Sequence, residues 1–376
     1  MKLSKLFLTS AAMALLTGAA ARAEEYHVVV LQALTGPAAF IGTAVADGMR
    51  LAEQQINEQG LLGEGNTLKV TYADDATDRT QTMSLIARYA NDPSVLGILG
   101  PTSGAVAIAG ASSGNQYSVP VITTTNSPEV LEQGPWSFIL TQPPEITIPY
   151  LAEYAADVKG VKECAIIGIR DIEAYVALQK QFEKLVTDKG VKITTVEQVG
   201  GTDSDFSSVA TKIATAQQDC VFVSASASQG ANIIVQLRQA GLDPAIPVFG
   251  HNAFASPEFL ERGGAGVEGV TFIADWVPGG YDEFTTAFDQ AFTARFSHAA
   301  DNWNAVGYGG MLVMANALKN MGPDASREAL RDQLGQTKDV RVAAGQGTYS
   351  VDEKRYPHVG MNVLTVQGGE FVAAPR

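Results

Sequence analysis

Cysteine and histidine are scarce in this chain of 376 residues. The two cysteines, Cys164 and Cys220, are too few for a disulfide network to be the source of stability. The histidines are His27, His251, His298 and His358. None has a second histidine at metal-ligand spacing, and there is no C-x-x-C pair, so the sequence predicts no metal site.

Basic residues and long apolar runs are also few. The chain has 26 lysines and arginines against 40 aspartates and glutamates, and its formal net charge is −14. A surface this acidic disfavours nucleic acid and anionic membranes, because both bind basic patches. Beyond the N-terminal segment no run reaches the roughly 18 apolar residues of a membrane span. We therefore expect no nucleic-acid partner and no spanning helix.

The first 23 residues have the features of a secretory signal peptide. Lys2 and Lys5 precede the short apolar stretch LFLTSAAMALLTGAA, and the sequence ARA ends just before Glu24. No cysteine lies near this cleavage site, so a lipid anchor on a new N-terminal cysteine is not expected. The sequence predicts that residues 1–23 are removed and that the remainder is exported as a soluble protein.

Strand and helix patterns alternate along the chain, which predicts parallel sheets with helices on both faces. A first block covers residues 24–142, and the pattern restarts in a second block, residues 143–275. From Trp276 onward the chain is mostly helical and has no sheet of its own, so these helices must pack on one of the blocks. The sequence thus predicts an α/β protein with two doubly wound parallel-sheet lobes.

The familiar catalytic and cofactor motifs are absent or misplaced. GAGVEG, residues 264–269, matches the dinucleotide-binding pattern but precedes a predicted strand instead of following one. No G-x-x-x-x-G-K-[ST] motif occurs, and Ser103 in GPTSG lacks the G-x-S-x-G spacing of a hydrolase nucleophile. We therefore expect no cofactor, no catalytic residue and no enzymatic activity.

Hydroxyl-bearing residues follow two neighbouring strands of the first block. Ser103 and Gly104 stand between a predicted strand and a predicted helix, and Thr123, Thr124 and Thr125 end the next strand. The first N–H groups of a helix are unpaired and carry partial positive charge, and ligands of such sheets bind at the carboxyl ends of strands. This edge therefore suits a carboxylate, although the same hydroxyls can simply cap helices.

Six segments carry a family resemblance, in order and over essentially the whole chain after residue 23. They are ALTGPAAFIGTAVADGMRLAEQQINEQGLLG, ADDATD, ILGPTSGAVAIA, VPVITTTNSPEV, GTDSDFSSVATKI and LRQAGL. With these segments the sequence resembles the type I periplasmic solute-binding proteins of ABC transporters, in the leucine/isoleucine/valine-binding class. The resemblance implies a three-crossover hinge between the lobes. Lobe one would comprise residues 24–142 and 276–348, and lobe two residues 143–275 and 349–376.

The resemblance also implies a function without chemistry. The chain would be the extracytoplasmic solute-binding component of an ABC importer, a periplasmic monomer that delivers a small carboxylate-bearing solute to a membrane permease. An amino acid of the branched-chain type is the expected solute. Two alternatives stay open: an organic or aromatic acid or an amide as the ligand, and a sensor that presents its ligand-bound form to a membrane receptor.

Several positions match ligand-contacting residues of that family. Ser103 matches a serine that binds the ligand carboxylate, with a one-residue adjustment of spacing, and residues 123–125 match a segment that contacts the amino-acid backbone. Tyr175 matches a tyrosine at a strand end, and Ile41, with Phe40 as its possible substitute, matches a cleft position that often carries an aromatic residue.

Asn252 departs from the family pattern, because branched-chain amino-acid binders have a glutamate there that pairs with the ligand ammonium. An amide accepts a hydrogen bond from an ammonium but brings no charge, and an unpaired buried ammonium is costly. Either another acid compensates, with Asp171 and Glu173 nearby in sequence, or the ligand has no α-ammonium.

Cys164 and Cys220 each begin a predicted strand of the second block, and a 2-1-3 strand order makes these strands neighbours. An oxidising compartment permits a bridge between them. Neighbouring parallel strands give poor bridging geometry, so a disulfide and a pair of buried thiols both remain open.

Overall fold

The structure is a computed structural model that describes residues 24–102, 104–322 and 325–375, with the backbone alone for Glu173 and Ala174. The predicted signal peptide, residues 1–23, and the candidate ligand residue Ser103 lie outside the described residues. Within the described part of the chain, no helix combines the length and the apolar character that crossing a membrane requires.

The first block alternates strands and helices as predicted. Its strands are β1 Glu25–Gln32, β2 Thr67–Asp74, β3 Val95–Leu99, β4 Val121–Thr123 and β5 Ser137–Ile139. Its helices are α1 Ala39–Glu58, α2 Arg79–Ala90, α3 Gly104–Gln116 and α4 Glu129–Glu132. The strands form one parallel sheet in the order β2-β1-β3-β4-β5. The three-residue strand β5, which directly precedes the boundary between the two blocks, was not predicted.

The second block repeats this architecture. Its helices are α5 Pro144–Glu153, which a π-helical turn continues to Val158, then α6 Glu173–Asp188, α7 Ser207–Thr215, α8 Ala227–Gln239 and α9 Pro257–Gly263. Its strands are β6 Glu163–Ile169, β7 Lys192–Val199, β8 Cys220–Ser224, β9 Val248–Gly250 and β10 Thr271–Ala274. The GAGVEG segment forms a short 3-10 turn at Gly264–Val267 between α9 and β10, so it is not a dinucleotide-binding loop.

The last hundred residues serve both lobes. They form the helices α10 Glu283–Phe296, α11 Asn302–Lys319 and α12 Arg327–Gly335, the short strands β11 Val340–Arg341, β12 Thr348–Val351 and β13 Pro357–His358, and the hairpin β14 Asn362–Gln367 and β15 Glu370–Ala373. The hairpin adds to the edge of the second sheet, whose order is β15-β14-β10-β9-β8-β6-β7. Its pairing with β10 is antiparallel, while β10, β9, β8, β6 and β7 are parallel.

The helices after Trp276 pack on the first lobe, as the resemblance implied. Phe288 of α10 and Met311 of α11 share a buried core with Val28 and Val30 of β1. This packing explains why these helices need no sheet of their own.

Helices α1 and α11 approach each other closely at two glycines. A Cβ at Gly48 would lie 2.1 Å from the carbonyl oxygen of Asn304, and one at Gly307 would lie 2.0 Å from that of Val45. Any larger side chain at either position would separate the helices. The glycines therefore hold the C-terminal third of the chain against the N-terminal lobe.

The chain passes to the second lobe for the last time later than expected. Tyr349, Val351 and Val359 are buried in the core of the first lobe, and the Tyr349 hydroxyl donates to the Ile139 carbonyl at 3.0 Å. Met361 is the first of this stretch to join the second core. We propose that the third crossover lies near residue 360, where the sequence placed it at residue 348.

Cys164 and Cys220 are joined by a disulfide, with their Cα atoms 4.6 Å apart. They occupy directly paired positions of the neighbouring parallel strands β6 and β8, as the predicted strand order requires. Both residues are fully buried. Of the two states that the sequence left open, the structure therefore has the bridge.

Candidate functional site

A chain of side-chain hydrogen bonds runs along the carboxyl edge of the first sheet. The Thr102 hydroxyl donates to the side-chain carbonyl of Gln32, and the Thr124 hydroxyl donates to that of Thr102 at 3.0 Å. The Thr141 hydroxyl donates to the backbone carbonyl of Thr124 at 3.3 Å. All four residues are buried, and they end or follow the strands β1, β3, β4 and β5. These hydrogen bonds therefore join the carboxyl ends of four strands, including β3 and β4, near which the predicted ligand residues Gly104 and Thr125 lie.

Gly100 lets the loop after β3 lie directly against β1. Its φ is +121°, and a Cβ there would lie 1.7 Å from the Leu31 carbonyl oxygen, so only glycine fits. Gly104 begins α3, and a Cβ at that residue would find no atom within 4 Å. The N-terminus of α3 thus has open space beside it, which suits the predicted approach of an anion.

The three threonines at the end of β4, Thr123, Thr124 and Thr125, have different hydrogen-bond partners for their hydroxyl groups. The Thr123 hydroxyl donates to the Phe138 carbonyl at 3.3 Å, and that of Thr124 is used by Thr102. The Thr125 hydroxyl accepts from the backbone N–H of Ser127 at 3.3 Å. Among the described residues no acceptor takes the Thr125 proton, so this hydroxyl keeps a donor for a ligand oxygen.

The two candidate residues of α1 have different environments. The Phe40 side chain is 73% exposed, whereas Ile41 is partly buried against the core of the first lobe. Phe40 is therefore the one with apolar surface to offer a ligand, although Ile41 was the closer sequence match.

Aromatic rings gather at the corresponding edge of the second lobe. Tyr175 of α6 lies 5.2 Å from the His251 ring, centroid to centroid, and His251 stacks on Phe254 at 5.7 Å. His251 is 1% exposed, and burial lowers its pKa to about 4. Its Nδ1 accepts from the backbone N–H of Ala253 at 3.3 Å, as a neutral imidazole does. The predicted residues Tyr175 and Asn252 thus both lie next to His251, which is uncharged.

Asn252 lies near a buried acid that the sequence analysis did not single out. Asp275, directly after β10, is 5% exposed, and the nearby Asn252 side chain lowers the pKa of its carboxyl group. The Asn302 amide nitrogen donates to Asp275 Oδ2 at 3.3 Å, and the Asn302 amide oxygen accepts from the Asp275 N–H at 2.9 Å. Burial raises the pKa of Asp275, and the two amides oppose this shift. An acid at the carboxyl end of a strand, in FIAD, was the signal that could have identified it.

The other nearby acids contribute less to this edge. Asp171 is exposed, and its two carboxylate oxygens accept from the Gly201 N–H at 2.7 and 3.0 Å, which holds the loop after β7. The side chain of Glu173 lies outside the described part of the structure. Among the described residues, no group of three or more histidine, cysteine, aspartate or glutamate side chains is arranged to hold a metal ion.

A cavity of about 660 Å³ lies elsewhere, beside the second crossover, between Trp276, Leu260 and Phe371. None of the described candidate ligand residues lines it. The size of this cavity therefore does not locate the predicted ligand site, which rests on the strand ends described above.

Two α/β lobes with parallel sheets, joined by three crossovers, define the class of two-lobed solute-binding proteins. The family comparison agrees: the chain belongs to the periplasmic binding protein family, whose model matches residues 25–370. That match covers both lobes and all three crossovers.

Individual relatives are distant but similar over their full length. A Leu/Ile/Val-binding protein homologue of Brucella melitensis is 25% identical over 355 residues, which cover 91% of this chain and 92% of that protein. A branched-chain amino acid transporter protein from Rhodospirillum rubrum, described by its authors as putative, has a similar crystal structure, with a TM-score of 0.82 and 26% identity over 93% of this chain and all of that one. A branched-chain amino acid transporter substrate-binding protein from Streptococcus pneumoniae, solved with isoleucine, has a TM-score of 0.79 and 22% identity over 93% of this chain and 98% of its own.

Proposed function

We propose that this protein is the solute-binding component of an ABC importer and that it binds a branched-chain amino acid between its lobes. The observation that carries the proposal is the hydrogen-bonded chain Gln32–Thr102–Thr124–Thr141 at the carboxyl edge of the first sheet. It holds in place the loops next to Thr125 and the N-terminus of α3, and relatives of this protein are named as Leu/Ile/Val-binding proteins.

The ligand carboxylate binds the first lobe in this proposal. Thr125 supplies a hydroxyl donor, and the N-terminus of α3 at Gly104 supplies backbone N–H groups. Ser103, outside the described residues, supplies a second hydroxyl, and the backbone around Thr123 and Thr124 completes this half.

The second lobe then receives the rest of the ligand. Tyr175 and Asn252 lie at its strand ends, and Phe40 and Ile41 border the apolar side chain from the first lobe. A solute that touches both lobes binds the closed form better than the open form and so shifts the population toward closure. Nothing in this arrangement requires a reaction, and we propose that the protein is not an enzyme.

The proposed setting is the periplasm. Residues 1–23 act as the signal peptide, the protein is a monomer without a lipid anchor, and an ABC-type permease is its partner. The buried Cys164–Cys220 disulfide supports an oxidising compartment.

A thermal-shift screen tests the ligand class, because a ligand that binds only the folded state raises its stability by mass action. We expect leucine, isoleucine and valine to raise the melting temperature of the protein without residues 1–23. Benzoate and 4-methylpentanoate, which lack the α-ammonium, serve as matched organic acids. A larger shift with these acids than with the amino acids would replace the proposed ligand by an organic acid.

A further inference from the structure

The acid that balances the ligand ammonium is missing from its usual position in this chain. Asn252 stands there, and a neutral amide leaves a buried ammonium uncompensated. Asp171, one of the two acids near in sequence, is exposed and already holds the Gly201 N–H with both oxygens. The other, Glu173, has its side chain outside the described residues, so among the described residues a different carboxylate must serve if the ligand is an amino acid.

Asp275 lies beside Asn252 in the sheet. Phe272 of β10 pairs with Gly250 of β9, so the residues just beyond these two strand ends are neighbours at the same edge. The Asp275 carboxyl is 5% exposed, and the nearby Asn252 amide lowers its pKa. Asp275 thus lies near Asn252, the position at which the family pattern has a glutamate.

The carboxyl group of Asp275 lacks a cation. Its side-chain hydrogen-bond partner is the neutral amide of Asn302, and among the described residues no lysine, arginine or histidine forms an ion pair with it. A buried carboxylate without a counter-charge is costly, so a cationic group brought to it gains more than it would in water.

Asp275 also lies close to the first lobe. It borders a small cavity at the hinge, of about 20 Å³, together with Thr141, Tyr349 and Val359. Thr141 donates to the backbone carbonyl of Thr124, next to the proposed carboxylate donor Thr125. Asp275 and Thr141 therefore border the same cavity, and Thr141 connects this cavity to the loop that carries Thr125.

We propose that Asp275 is the specificity-determining acid of this protein and that it receives the α-ammonium of the ligand in place of the glutamate of related proteins. This inference rests on the proposed function, because it needs an amino-acid ligand. Asn252 then acts as a positioning residue that orients the Asp275 carboxyl.

A purely structural role is the competing explanation. Asp275 is bonded to Asn302 of α11, and its carbonyl accepts from the Gly345 N–H at 2.5 Å, so it also joins the hinge segments. If that were its only role, removing its charge would weaken every ligand equally, because all ligands need the same closure.

The test compares two ligands of the same shape, L-leucine and 4-methylpentanoate, which differ in the α-ammonium. Titration calorimetry measures both dissociation constants for the wild type and for Asp275→Asn, which keeps the size of the side chain. We expect the variant to lose at least tenfold in affinity for leucine and less than threefold for 4-methylpentanoate. Equal losses for both ligands, or no loss for leucine, would overturn the inference. Asp171→Asn is made in parallel, and a selective loss of leucine in that variant would also overturn it.

A second measurement needs no variant and covers the case in which Asp275→Asn does not fold. Burial raises the pKa of Asp275, and an ammonium beside it lowers that pKa again, so leucine binding releases protons in the acidic pH range where the ligand-free carboxyl is partly protonated. The other titratable group at the hinge cavity is Tyr349, whose raised pKa keeps it neutral there. Calorimetry in two buffers of different ionisation enthalpy measures the release. We expect it with leucine and not with 4-methylpentanoate, and an equal release with both would overturn the inference.

Failure of the inference and failure of the proposed function are distinguishable. A wild type that binds leucine but shows no selective effect of Asp275→Asn keeps the function and loses the inference. A wild type that binds 4-methylpentanoate more tightly than leucine overturns both, as does one that binds neither.

Discussion

The hydroxyl oxygens of Thr102 and Thr124 lie 3.0 Å apart and join the loops that follow β3 and β4. Thr102 accepts this bond while it donates to Gln32, so its single hydroxyl serves two neighbours at once. Thr102, which the sequence analysis did not select, therefore holds together the loops at the candidate ligand-binding edge of the first lobe.

Removal of the Thr102 hydroxyl should destabilise the protein. In Thr102→Val, the Gln32 carbonyl and the Thr124 hydroxyl, both buried, each lose a partner, and an unsatisfied buried group costs about 1–3 kcal/mol. Urea unfolding of the ligand-free protein measures the loss in the free energy of unfolding. Thr102→Ser keeps the hydroxyl and should remain within about 1 kcal/mol of the wild type, so an equal loss in both variants would contradict this role.

Thr125 should carry much of the affinity for the ligand carboxylate. Thr125→Val removes the one hydroxyl proton of the three threonines that has no acceptor among the described residues. A hydrogen bond to a charged group contributes about 1.5–3 kcal/mol, so the dissociation constant should rise by roughly ten- to a hundred-fold. Calorimetric titration with leucine checks this, and Thr125→Ser should retain most of the affinity. Unchanged binding in Thr125→Val would remove the hydroxyl from the site.

Ser103 remains a prediction from the sequence. Ser103→Ala should weaken leucine binding by about 1.5–3 kcal/mol if its hydroxyl also meets the carboxylate. The same titration measures it, with the melting temperature of the ligand-free variant as the control for folding. An affinity equal to that of the wild type would leave Thr125 and the α3 N-terminus as the donors of this lobe.

The Cys164–Cys220 disulfide should contribute measurably to stability. It closes a loop with a sequence separation of 56 residues, and such bridges typically add about 2–4 kcal/mol. Replacement of both cysteines by alanine should lower the free energy of unfolding by that amount, measured by urea titration. Alkylation of the unfolded wild type should add mass only after reduction, and a mass gain without reductant would contradict the bridge.

His251 should give the ligand-free protein a pH-dependent stability. Burial lowers its pKa to about 4 in the folded state, against about 6.5 for an ordinary histidine. Between these values the unfolded chain binds more protons, so the free energy of unfolding decreases as the pH falls from about 6.5 to about 4, by at most about 1.4 kcal/mol per pH unit. The quantity to measure is the difference between the wild type and His251→Gln at several pH values. A difference that does not change across this window would show that the folded state does not lower the pKa of His251.

The sequence was sufficient to predict the two parallel-sheet lobes, because their strands are apolar runs bounded by clear turns. It also predicted that Cys164 and Cys220 begin neighbouring strands, since strand order follows from the alternating pattern. It did not predict β5, a strand of three residues that directly precedes the boundary between the two blocks. We propose a later third crossover than the sequence does, because the burial of Tyr349 against Ile139 depends on a contact across more than two hundred residues.

The sequence predicted which loops form the candidate site, but not the hydrogen bonds of its individual side chains. The sequence selected the three threonines at the end of β4 as a group. Only the hydrogen bonds show that the Thr123 and Thr124 hydroxyls donate within the protein whereas the Thr125 hydroxyl accepts. Asp275 was missed because an acid at a strand end has no distinctive spacing, and its burial becomes visible only when Asn302 of a distant helix is placed against it.

The packing of α10 and α11 on the first sheet has a consequence for the order in which the protein is made. The strands of that sheet are complete at Ile139, but the helices that cover Val28 and Val30 come from the last third of the chain. During synthesis α1 can cover only part of this face until nearly everything has been translated, and exposed apolar surface of this kind promotes aggregation. A nascent chain with this topology benefits from chaperones that hold it unfolded until its C-terminal helices are available.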